Sequence, residues 1–190
     1  ETTMSIAEGM ETALLNMWRG EKQLSEDAGF KLLKLDEEGD KLFQNPLVNT
    51  WASYVKMLGT GSDKSIFLTL KARYGEGDLA QMLLKKSEST GPLAARLEYA
   101  QRNSWITEGK TADDIFKLLN VQKQNEKLLE SPLYHSWTSY VAGVERGDSD
   151  EVVASELKTH YGEKDLTSML DAAKGNPSTK SVATRLQEEL

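Results

Sequence analysis

The chain has no cysteine and only two histidines, His135 and His160. Without thiols there are no disulfides, no cysteine nucleophile and no thiolate ligand for a metal. Long apolar runs are missing as well: no stretch approaches the roughly 20 residues a membrane helix needs. The opening ETTMSIAEGM has neither the basic start nor the apolar core of a signal peptide, and it lacks an initiator Met. The expectation is a processed chain or an excised piece, with any targeting segment outside it. Positive charge is scarce. A net charge of −7 argues against nucleic acid, where Lys and Arg supply most of the affinity by neutralising phosphates. Lys85-Lys86 is too short to make a basic patch. What remains is a soluble globular make-up, 38% hydrophobic and 28% charged, with four prolines in 190 residues.

The sequence is rich in itself. Residues 30–59, FKLLKLDEEGDKLFQNPLVNTWASYVKMLG, align without a gap on 116–145, FKLLNVQKQNEKLLESPLYHSWTSYVAGVE, with 12 of 30 positions identical. LKARYGEGDLAQML (70–83) matches LKTHYGEKDLTSML (157–170) at nine of 14 positions. METALLNMW (10–18) pairs more loosely with LEYAQRNSW (97–105). The offset is 86 or 87 throughout, so all four tryptophans fall into two pairs, Trp18 with Trp105 and Trp51 with Trp137. An internal repeat decides the fold before any local motif does. One unit is expected over 4–90 and a second over 91–180. The tail 181–190 resembles the opening of the second unit and is read as the start of a following unit's first helix.

Each unit reads as helical. Asn45 and Ser131 are good N-caps, and Pro46 and Pro132 suit a first helical position that needs no N–H partner. Leu47, Trp51, Tyr54, Val55 and Leu58 then form one apolar stripe at 3.6-residue spacing, repeated as Leu133, Trp137, Tyr140, Val141 and Val144. The next helix carries Ile66, Leu70 and Tyr74, repeated as Val153, Leu157 and Tyr161. Gly75 and Gly162 follow, where a helix commonly ends in a left-handed residue. Asp78 and Asp165 head another helix near its positive dipole end, which buries Leu79, Met82 and Leu83 or Leu166, Met169 and Leu170. Thr111-x-x-Asp114 resembles a capping box. No segment alternates with period two, so the class is all-α, with about five helices per unit.

A Trp helix entered through x-P-L-x-x-x-W-x-x-Y-V, followed by Tyr-Gly-Glu-x-Asp-Leu, resembles the WY fold of oomycete RXLR effectors. The stretch ending in a Trp and then a short FKLL helix (10–33 and 97–119) resembles the added L motif of tandem LWY units. The resemblance implies helical-bundle repeats stacked into an elongated rod, each unit docking on its neighbours in cis. It makes Trp51 and Trp137 the W positions and Tyr74 and Tyr161 the Y positions. The structural core is expected at Trp18, Trp51, Tyr54, Tyr74, Trp105, Trp137, Tyr140 and Tyr161. The resemblance also implies secretion by a plant pathogen and action in the host cytoplasm or nucleus. Some LWY pairs of this family dock on the scaffold (A) subunit of host protein phosphatase 2A and redirect its dephosphorylation, which makes that subunit the favoured partner. The alternatives are another host target, such as a trafficking or autophagy protein, or a peptide-binding helical scaffold outside the effectors.

No catalytic, cofactor or metal site is expected, and no enzyme. His135 lies opposite Asn49 and His160 opposite Arg73, so both are read as surface residues. Asp36-Glu37-Glu38 faces Gln122-Lys123-Gln124 in the sister unit and reads as a solvated face. The F-x-x-L strings at Phe30–Leu33 and Phe67–Leu70, which also suit autophagy-receptor peptides, lie on apolar helix faces and are read as buried. A partner should use what differs between the units: 34–40 against 120–126, 56–64 against 142–150, and the exposed face of 98–110.

Overall fold

The computed structural model describes residues 2–59, 61–145 and 147–190, and no strand occurs among them. The chain divides into two compact units, one ending at Gln101 and one running from Arg102 to Leu190. The repeat places its cut at 90/91. The difference arises in one helix, whose first turns bury Leu93, Ala94, Leu97 and Ala100 in the first unit's core.

The first unit holds α1 (Thr2–Gly20), α2 (Glu26–Leu32), α3 (Leu47–Met57), α4 (Asp63–Tyr74), α5 (Glu76–Leu84) and the first part of α6 (Gly91–Thr107). Two short 3₁₀ stretches, Leu35–Glu37 and Gly39–Gln44, link α2 to α3. Ser25 starts α2, its hydroxyl accepting from the Ala28 N–H at 3.1 Å, and Ser62 starts α4 in the same way. The core gathers Phe30, Leu42, Phe43, Val48, Trp51, Val55, Phe67 and Leu70, closed by Leu79, Met82 and Leu83 of α5. A second cluster joins Leu15 and Trp18 of α1 to Tyr54.

The second unit repeats the plan with the end of α6, α7 (Ala112–Leu118), a 3₁₀ stretch (Val121–Glu130), α8 (Pro132–Val144), α9 (Ser149–Tyr161), α10 (Glu163–Ala173) and α11 (Lys180–Glu188). The Thr111–Asp114 capping box forms as the sequence predicts, each residue's side chain bonding the other's backbone N–H. Ser131 caps α8, with Pro132 following. Asn45 plays the same part for α3, its side-chain oxygen accepting from the Leu47 N–H at 2.9 Å. Asp78 and Asp165 do stand in the first turns of α5 and α10.

Two local readings change. Leu47 is exposed and Val48 takes the core position. A side chain in the first turn leans back toward the helix start, and at Leu47 this carries it off the end of the core. Gly75 and Gly162 have positive φ (+82° and +79°) but extended ψ (162° and 153°), so they are not left-handed helical. Each is the last cap of one helix and the first cap of the next, α4 to α5 and α9 to α10. A corner of one residue requires this glycine-only conformation. The segment between α2 and α3, and its counterpart, is 3₁₀ helix entered through a left-handed residue, Lys34 or Asn120.

Candidate functional site

The repeated stretch builds an aromatic corner twice. In the first unit the Trp51 indole N–H donates to the Glu26 carbonyl at 3.0 Å, and the Tyr54 hydroxyl donates to the Leu24 carbonyl at 2.6 Å. In the second, Trp137 donates to Ala112 at 2.8 Å and Tyr140 to Lys110 at 2.6 Å. Phe30 meets Trp51 edge-on, and Phe116 meets Trp137 likewise, with ring centres 5.0 Å apart in both units. Trp18 meets Tyr54 at 5.4 Å and Trp105 meets Tyr140 at 5.6 Å, again edge-to-face. Tyr74 and Tyr161 are half-buried and reach the Leu35 and Val121 carbonyls only at 3.5 and 3.4 Å. The other eight of these aromatic residues are buried. Large rings whose polar tips are satisfied on backbone carbonyls fill a core and have no surface left for a ligand. Phe30, Phe67 and Leu70 are buried too, with Leu33 partly so.

The faces differ where the corners agree. The 34–40 segment is an acidic edge bearing Asp36, Glu37 and Asp40 in solvent, against Gln122 and Lys123 in the second unit. On α6, Tyr99 is 64% exposed and Ile106 45%. Met10 and Leu14 of α1 are also exposed, although their counterparts on α6, Leu97 and Gln101, are buried. Thr60 and Arg146, in the 56–64 and 142–150 loops, lie outside the described residues, as do the side chains of Asn125 and Glu126. A cleft of about 390 Å³ lies beside Leu129, Met169 and Ala173. In the first unit the position of Leu129 is held by the fully buried Phe43.

The two histidines part company. His135 is exposed. His160, read from the sequence as a surface residue, is half-buried: its ring stacks on Phe116 at 4.2 Å and its Nε2 lies 2.9 Å from Asp113 Oδ1. In the first unit Arg73 occupies this place, with its guanidinium 4.4 Å from the Phe30 ring centre and bonded to Asp27. Bonds from Lys31 and then Arg73 hold the Asp27 carboxyl below its ordinary range. The sequence signal was the Arg73–His160 alignment, which reads as free replacement until the ring beneath and the acid beside it are seen to be shared.

No family model matches the chain. It is 34% identical to the RxLR effector protein PSR2 of Phytophthora sojae, over 98% of this chain and 29% of PSR2. It is 32% identical to an RxLR effector protein of Phytophthora infestans, over 99% of this chain and 52% of the relative. The chain therefore spans between a quarter and about half of the length of these relatives. The crystal structure of PcRxLR12 superposes with a TM-score of 0.80 at 32% identity, covering 98% of this chain and 47% of that one. Matched over almost its whole length in sequence and in fold, the chain belongs to the RxLR effectors of Phytophthora.

Proposed function

We propose that these units are LWY repeats, and that the chain is the part of a secreted effector that binds a host protein by its surface and catalyses nothing itself. Kinship with RxLR effectors carries this reading, and with it secretion by the pathogen and action in the host cytoplasm or nucleus. The distribution of sameness adds support: the repeated residues are used up in two matching cores, while the solvent faces are free to specialise. No helix among the described residues is long and apolar enough to cross a membrane.

The favoured partner is the scaffold (A) subunit of protein phosphatase 2A, which a two-unit LWY pair has the size to engage. A second partner lies in cis. Leu97 and its neighbours on α6 bury in the first core, so the matching face of α1, with Met10 and Leu14 exposed, is suited to the core of a preceding unit.

The test is to mix the purified chain with recombinant scaffold subunit and follow gel filtration and calorimetry. Co-elution with sub-micromolar affinity, weakened by substitutions at 34–40 or at Tyr99, is expected. No binding by a chain whose helicity is intact would overturn the phosphatase assignment and direct the search to other host proteins, such as those of trafficking or autophagy.

A further inference from the structure

Helix α9 carries Glu156 and His160 one turn apart, on the side that packs against α7, where Asp113 stands. One ligand atom from each of the three lies within 4.8 Å of the others, and all three residues are half-buried. The imidazole plane is set by its stack on Phe116. Asp113 keeps Oδ1 toward His160, while its other oxygen accepts from Lys117 at 2.6 Å on the outer side.

The first unit shows what this position does when it is complete. Asp27, Thr69 and Arg73 stand where Asp113, Glu156 and His160 stand in the second. There Arg73 brings a permanent positive charge onto the carboxylate and the ring, and Thr69 brings no charge. The second unit replaces the guanidinium with an imidazole and adds a carboxylate. The matched lysines, Lys31 and Lys117, are bonded to the aspartates alike and cancel in the comparison. The place thus goes from a carboxylate matched by a guanidinium to two carboxylates around an imidazole, with less fixed positive charge. Burial, and then the facing Asp113 carboxylate, push the Glu156 carboxyl above its ordinary range.

We propose that Asp113, Glu156 and His160 bind a divalent transition-metal ion. Carboxylate oxygens and an imidazole nitrogen are the donors that zinc, cobalt and nickel accept, and the imidazole disfavours magnesium and calcium. A spacing of i to i+4 puts two ligands on one helix face, and the third comes from the neighbouring helix, so the ion ties α7 to α9. Ring stacking and partial burial orient the imidazole before the ion arrives. Ligation takes the imidazole nitrogen and both carboxylates in their deprotonated forms, so affinity should fall as pH is lowered. Lys117 opposes the ion by its charge, which limits affinity.

Zinc titrated into the tag-free chain near neutral pH is expected to bind one to one by calorimetry and to raise the thermal midpoint, reversibly with chelator. Cobalt, as a spectroscopic probe, should develop visible d–d absorption. His160→Arg copies the first unit and so preserves fold and charge pairing; it should weaken binding by at least about tenfold. His135→Ala should leave binding unchanged, and Lys117→Met should tighten it. Thr69→Glu with Arg73→His in the first unit should raise the stoichiometry to two. Absence of binding by the wild-type chain, or binding that survives His160→Arg, would overturn the site. A midpoint that rises on acidification but ignores zinc would overturn it too, since the missing cation would then be a proton.

Discussion

The indole N–H of Trp137 reaches 2.8 Å from the Ala112 carbonyl, tying the middle of α8 to the first residue of α7. The ring is fully buried, so it contributes volume and a bond separately. Trp137→Phe keeps most of the volume and strands the carbonyl, which costs about 1–3 kcal/mol. Trp137→Ala also opens a cavity and should lose about 3–5 kcal/mol. Urea denaturation of both variants separates the two contributions. Equal losses would mean that packing carries nothing beyond the bond.

Lys34 and Asn120 hold matching left-handed conformations, with φ of 55° in each. A lysine gains nothing from that geometry, whereas asparagine tolerates it and glycine is free in it. Lys34→Asn or Lys34→Gly should raise stability by about 0.5–1 kcal/mol. Asn120→Lys should lower it comparably. Thermal melts of the three variants check the sign.

The glycine corners give a contrast without steric confusion. A Cβ at Gly75, Gly162 or Gly143 would meet nothing within 4 Å. Gly75→Ala and Gly162→Ala should nevertheless cost about 1–3 kcal/mol each, because the backbone there is one only glycine adopts freely. Gly143 lies inside α8 with helical geometry, and Gly143→Ala should stabilise by about 0.5–1 kcal/mol. Opposite signs in the same denaturation assay are expected.

Asp63 opens α4 and accepts from Lys56 of α3 at 2.9 Å and Arg96 of α6 at 3.3 Å. Burial raises its carboxyl pKa, but Lys56 and then Arg96 outweigh this and hold it below the ordinary 3.8. A folded pKa below the unfolded one stabilises the fold above the unfolded value and stops doing so as pH falls through the folded one. Asp63→Asn should therefore be less stable than wild type near neutrality, by a margin that is flat above about pH 5 and closes in acid. Salt should shrink the margin as well. A gap that persists at low pH would assign the loss to something other than charge.

Much of this architecture could be read from the chain. Period-3.6 stripes and the 86-residue echo mark the helices and the two copies, and Thr111–Asp114 announces its own cap. What escaped depends on contacts that residue identity does not encode. Val48 outranks Leu47 only because the core begins one residue later than the stripe suggests. The Trp51 and Tyr54 bonds end on main-chain carbonyls, which every residue possesses. The Asp113–Glu156–His160 group needs α7 packed on α9 before its members meet, and the two changes that create it, at 69/156 and 73/160, look unrelated until then. The faces proposed to meet a partner were legible only as inequality between copies.

The ring-to-carbonyl bonds also bear on how such a protein can change. Glu26 and Ala112 serve the two tryptophans equally, as do Leu24 and Lys110 the two tyrosines. Because these bonds end on main chain, they place no demand on the side chains at those four points, two of which, Leu24 and Ala112, answer to packing instead. A duplicated unit can therefore wander in sequence and acquire new binding chemistry while its neighbours, and its own core, stay as they were. Lineages assembled from such units would diversify by surface drift and by shuffling copies, with no need to invent a new fold.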